Sequence, residues 1–234
     1  MASYFDHFII LPFINTYLTD GFMIVLGVIM VMMVLSYRIY LIPHRIQIIV
    51  EGIIDHWRTV VHENGGETSS FYLLPIITLF FFLLGLNGLG FFTYTFPVTT
   101  HLFITFGLAL TVWIGVIFLG CQRFKSSFLS IFMPSGAPLA LSPLLVGIEI
   151  ASQLSRPLAL GMRLAANLTA GHILMAILAD FGCQLLFYTL NLATLFPLLI
   201  IMCMTILEMG VLVIQAYVFC LLTLIYLKDS LILH

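Results

Sequence analysis

Residues 198–227 read LLIIMCMTILEMGVLVIQAYVFCLLTLIYL. The run holds no proline, one glycine (Gly210) and one charged residue (Glu208). As one helix rising about 1.5 Å per residue, it extends about 45 Å. The hydrocarbon core of a bilayer is about 30 Å thick, so such a helix tilts strongly or leaves the membrane. The sequence around it therefore has to be read as a membrane protein, all-α and polytopic.

Composition agrees. Hydrophobic residues make up 62% of the chain and charged residues 8%, where soluble domains carry roughly 25% charge. Mean hydropathy is +1.19. The net charge of −2 includes no basic cluster suited to nucleic acid. Cys121, Cys183, Cys203 and Cys220 are scattered through apolar runs without CxxC spacing, so they read as small hydrophobes and imply neither a metal site nor a disulfide framework. The opening MASYFDHFII has no basic residue before Arg38 and resembles neither a cleaved signal nor an Arg-rich transit peptide.

The whole chain, 1–234, is expected to form a single integral membrane domain. Residues 21–37 are a first transmembrane helix. In 43–66, Ile46, Ile49, Val50, Ile53, Ile54, Trp57, Val60 and Val61 recur at three-and-four spacing, with Arg45, Glu51, Asp55, Arg58 and His62 between them. That pattern predicts an amphipathic interfacial helix, entered at Pro43 and stopped at Gly65-Gly66. Residues 71–121 form a transmembrane hairpin, and 144–228 a hairpin of two long tilted helices joined around 180–190. Pro134, Gly136, Pro138 and Pro143 exclude a straight helix over 126–148. About five membrane elements result. With the N-terminus outside, Arg38, Arg45, Arg58, Arg123, Lys125 and Lys228 fall on the inner side, as the positive-inside rule requires.

The charges of the C-terminal hairpin need an explanation. An arginine at the bilayer centre costs on the order of 2.5–3.5 kcal/mol on insertion scales. The positions one turn from Arg163 are Ala159, Leu160, Ala166 and Asn167, none a carboxylate. Its counter-charge lies on another helix, in a wet cavity or on another subunit. At about 100° per residue, Glu149, Arg156 and Arg163 drift only about 20° per step and share a face with Asn167. His172 points about 180° away. Glu208 and Gln215 share a face of the last helix. Arg156 sits where it can snorkel to the inner interface or pair with Glu149; His172 and Glu208 read as a coupled pair or a buried structural one.

Two segments carry a family resemblance: SRPLALGMRLAANLTAGHILM (155–175) and LEMGVLVIQAYVFCLLTLIYLKD (207–229). They resemble subunit a of the F-type ATP synthases, the stator subunit of the proton channel. LIPHRIQIIVEGIID (41–55), LLGLNGLGFFTYTFPVTT (83–100) and Glu149 fourteen residues before Arg163 extend the likeness from about residue 20 onward. The resemblance implies that the last two helices lie against a ring of c subunits, each carrying an embedded carboxylate. The peripheral stalk, other membrane-sector subunits and lipids would be the remaining partners. It implies two offset half-channels, with Arg163 separating them and discharging ring carboxylates. His172 and Glu208 would serve the inlet, with Asn87 lining the channel. Gln215 would face Arg163, with Asn167 one turn beyond it, and Glu149 and Ser152 would serve the outlet. The subunit is itself non-catalytic and needs no cofactor or metal. The His172/Glu208 order resembles mitochondrial members and their alphaproteobacterial relatives, which points to the mitochondrial inner membrane, with a bacterial inner membrane as the alternative.

Two other readings fit less well. A haem-carrying subunit needs paired histidines on facing helices, and only His172 lies well inside a span. A secondary transporter often shows inverted repeats, and none is evident.

Overall fold

A computed structural model describes residues 22–35, 44–65, 70–91, 98–125, 142–188 and 195–231. Its helices are α1 (Phe22–Leu35), α2 (Arg45–Gly65), α3 (Ser70–Phe91), α4 (Leu102–Phe124), α5 (Ser142–Tyr188) and α6 (Leu195–Leu231). A 3-10 turn, Val98–Thr100, precedes α4. Among the described residues there is no strand. The helices α3 to α6 are each long and apolar enough to cross a membrane. The described part of α1 is 14 residues; the ends of the expected 21–37 span lie outside the described residues.

Prolines occur both at helix starts and in helix interiors, the latter at Pro75 in α3 and Pro157 in α5. Pro143 occupies the first turn of α5, where a missing N–H costs nothing. The breaks expected at Pro134, Gly136 and Pro138 lie outside the described residues. Pro75 sits inside α3, and the Thr78 hydroxyl donates to its carbonyl at 2.8 Å. Lys125 closes α4 in the left-handed region, φ 50°, and its backbone N–H donates to the Cys121 carbonyl.

The two last helices are longer than expected, at 47 and 37 residues, or about 70 and 55 Å. The helix α5 runs through Asp180 to Tyr188, to the far end of the 180–190 stretch expected to hold the joint. Asp180, Gly182 and Gln184 interrupt the apolar pattern there, and a helical glycine such as Gly182 costs no more than about 1 kcal/mol. It also admits α6 closely, since a Cβ on Gly182 would lie 3.4 Å from Ile201 Cδ1.

The core forms around α3, which packs on α1, α2 and α6. Ile76, Ile77, Phe80 and Leu83 meet Leu212, Ala216, Phe219 and Cys220 in one buried cluster. The apolar stripe of α2 joins it. Trp57 is fully buried, with ring centroids 5.4 Å from Phe80 and 5.2 Å from Tyr217. The ring of His56 lies beside Tyr217, with Nε2 3.3 Å from its hydroxyl. Protein thus covers one side of this amphipathic helix, while Ile48, Ile49 and the Arg58–Asp55 pair stay exposed.

Truncating Trp57 to alanine removes the anchor of α2 and is expected to cost about 3–5 kcal/mol. Denaturant titration in detergent micelles checks this, and Ile49→Ala should stay within about 0.5 kcal/mol of the parent.

Candidate functional site

The site is built on α5 and α6, with α3 and α4 behind them. On α5 the buried residues Leu160, Leu164, Ala165 and Leu168 face the core. Gly161 fixes that orientation: a Cβ there would lie 3.2 Å from Phe106 Cα and 3.3 Å from the Thr105 carbonyl oxygen. No larger residue lets α4 approach so closely. Arg163, two residues on, is about 200° around the helix. It is exposed, as are Asn167 and Ala170. His172 is half-buried on the other side of α5.

The two arginines of the stripe have different surroundings. Arg156 donates to Asp229 Oδ2 of α6 at 3.4 Å and lies over the Tyr226 ring, 5.0 Å from its centroid. Its partner is therefore Asp229, and Glu149 instead accepts from Gln153 Nε2 at 3.2 Å. Ser152 is half-buried one turn beyond Glu149. Among the described residues Arg163 makes no ion pair or hydrogen bond.

On α6, Glu208, Leu212 and Gln215 lie on the buried face. Asn87 of α3 is fully buried, and its Nδ2 donates to the Leu212 carbonyl at 3.4 Å. It thereby sits between Glu208 and Gln215 along α6. Asn87 Oδ1 and Glu208 Oε1 are both buried without a hydrogen-bond partner. Such atoms are costly in a purely structural core, and they mark a polar track.

Glu208 has a seat prepared on α5. A Cβ at Gly171 would lie 2.9 Å from Glu208 Oε1 and 3.3 Å from its Cδ. The carboxylate thus rests on the bare backbone of Gly171. A cavity of about 300 Å³ opens here, lined by Asn167, Ala170, Gly171 and Glu208 among others. It follows the Arg163 side of α5, because Asn167, Ala170 and Leu174 all lie within about 40° of Arg163. The structure brings together Glu208, Gly171 and Asn167, and separately Asn87 with the middle of α6. It leaves Gln215 buried and Arg163 exposed. Gly171 and Asp229 had not been singled out from sequence: a small-residue run, AANLTAGH, was the only hint of the first. Nothing near Arg156 in sequence pointed to an acid 73 positions away.

A fixed cation faces outward, and a buried row of titratable and amide groups lies behind it. Such an arrangement suits charge or proton transfer to something that docks on the cation's face. Comparison with known proteins bears on what that is. A family model described as ATP synthase A chain matches residues 21–228. The chain is 47% identical to ATP synthase subunit a of Metridium senile over 233 residues, covering 100% of this chain and 99% of that one. It is 42% identical to the subunit a of Mycosarcoma maydis, covering 96% and 91%. The subunit a of Parvibaculum lavamentivorans is 40% identical, covering 82% and 74%.

The Glu208 seat can be checked by cross-linking. With the four native cysteines replaced, Gly171→Cys paired with Glu208→Cys should form a disulfide under mild oxidation, because the Glu208 side chain back to its Cγ lies within 3.6 Å of a Cβ at Gly171, in the range of close approach that a disulfide needs. The pair Gly171→Cys with Gly210→Cys should not, since nothing lies within 4 Å of a Cβ at Gly210; gel mobility reads both.

Proposed function

Because this chain belongs to the ATP synthase A chain family, we propose that it conducts protons as the stator subunit of an F-type ATP synthase, with Arg163 dividing two half-channels. The observation that carries the division is Arg163 itself, exposed on α5 and without an ion pair among the described residues. Its counter-charge is then a carboxylate carried by each subunit of a rotating ring.

Magnitudes favour a contact that forms and breaks. Placing the guanidinium in the bilayer costs on the order of 2.5–3.5 kcal/mol. A carboxylate about 4 Å away, at an effective dielectric near 20, returns about 4 kcal/mol. The two nearly cancel, so each ring carboxylate is attracted but not trapped. Arginine suits this place better than lysine. A guanidinium keeps its proton even when desolvated, whereas a buried lysine loses its charge readily.

In this reading, protons enter past His172 and Glu208, with Asn87 and Gln215 beside the path, and reach a ring carboxylate. The neutral carboxyl rotates through lipid until it nears the outlet, where the Glu149 carboxylate takes the proton and Ser152 lines the way out. The carboxylate then meets Arg163, and Asn167 one turn along shares that exposed face. A fixed positive charge keeps protons from crossing directly between the half-channels. Such a leak would dissipate about 2.3 kcal/mol per charge for each 100 mV of membrane potential. The Arg156–Asp229 clamp and the Gly161 contact hold α5 against α6 and α4, so Arg163 keeps its direction under load. The c ring, the peripheral stalk and the other membrane-sector subunits are the proposed partners. The His172/Glu208 order favours the mitochondrial inner membrane.

Arg163→Ala is expected to abolish ATP-driven proton pumping in membrane vesicles, read by a pH-sensitive fluorophore, while the complex still assembles. Arg163→Lys should recover little of it. Normal coupled pumping in Arg163→Ala would sink the proposal.

A further inference from the structure

On the side away from the proton path, α1, α3, α4 and α6 enclose an open groove of about 490 Å³. Ligand-holding pockets span roughly 300–1,000 Å³. Its walls include Val31, Ile76, Leu79, Val116, Leu119 and Leu227. Three threonines also line it, yet each hydroxyl is already committed to its own helix: Thr78 to the Pro75 carbonyl, Thr111 to Leu108 and Thr223 to Phe219, each at 2.8 Å. The groove therefore offers hydrocarbon with almost no free polar group. Water gains nothing there, since a buried water needs two to four polar partners.

Its depth and its ends identify an occupant. The lining on α3 runs from Tyr72 to Phe82, about 15 Å of helix. That is one leaflet of a hydrocarbon core about 30 Å thick. At the basic end of the helices the lining continues into cations. The α4 stripe of Val112, Val116 and Leu119 reaches Arg123 one turn further, and Lys228 follows Leu227 on α6. Arg123 is exposed and Lys228 half-buried, and among the described residues neither makes an ion pair. An apolar slot one leaflet deep, with two cations just past its end that make no ion pair among the described residues, Arg123 lying over the Phe124 ring at 5.7 Å, matches one kind of molecule. Basic pockets between membrane helices on the inner side take acidic headgroups.

We propose that this groove holds an acyl chain of an anionic phospholipid of the basic-side leaflet, with its phosphate against Arg123 and Lys228. Gly115 is part of the seat. It lines the groove, and a Cβ there would meet nothing within 4 Å, so a larger residue would fill the slot without displacing backbone.

The assembled complex in nanodiscs tests this, using phosphatidylglycerol with a photoactivatable diazirine in its acyl chain, and phosphatidylcholine with the same chain. Adducts mapped by mass spectrometry are expected within 72–82 and 111–119, favouring the anionic probe by at least about fivefold. Arg123→Gln with Lys228→Gln should abolish the preference but keep the labelling. Gly115→Phe should abolish labelling of the groove, while Gly107→Phe, at another open position on α4 outside it, should not. Equal labelling by the two probes would overturn the proposal. So would groove labelling unchanged by Gly115→Phe, or no adducts there because another protein segment fills it.

Discussion

A guanidinium on a helix made for lipid has to be compensated, and among the described residues Arg163 has no ion pair. The stripe on α5 carries two arginines seven residues apart. Arg156 finds Asp229 and the Tyr226 ring on the neighbouring helix, so its charge is settled inside the fold. Arg163 keeps its face outward, held there by the close Gly161 contact behind it. The contrast between these two residues organises the hairpin: one arginine ties α5 to α6, and the other, in the proposed function, meets the carboxylate of a partner.

The remaining polar groups are arranged behind that offered charge. Glu208 rests on the bare backbone of Gly171, Asn87 reaches the Leu212 carbonyl, and Gln215 is buried further along the same face of α6. Buried polar atoms in an apolar bundle are expensive unless they are used. Glycine recurs at close contacts between helices, at 27, 161, 171 and 182. In a membrane, where apolar burial does not drive helix association, small residues of this kind permit the close packing that does. The same packing leaves an opposite side of the bundle open to lipid.

Much of this could be read from the sequence, because helical periodicity is local. The unbroken run of α6 over 198–227, the stripe of α2 with Trp57 at its centre, and the common face of Glu149, Arg156 and Arg163 all follow from spacing along one helix. What could not be read depends on contacts between distant segments. The Arg156–Asp229 pair joins residues 73 positions apart, and Asn87 to Leu212 spans 125. Gly171 looked like one more small residue until Glu208 lay over it.

The central claim is that the exposed face of α5 and α6 docks a ring of carboxylate-bearing subunits. The most direct measurement is cross-linking in the assembled complex from single cysteines on α6. Leu207→Cys and Ile214→Cys, at exposed positions, are expected to cross-link to a small ring-forming subunit near its membrane carboxylate. Ala216→Cys, at a fully buried position, is expected not to. Cross-links from the buried position, or none from the exposed ones in an intact complex, would contradict the claim.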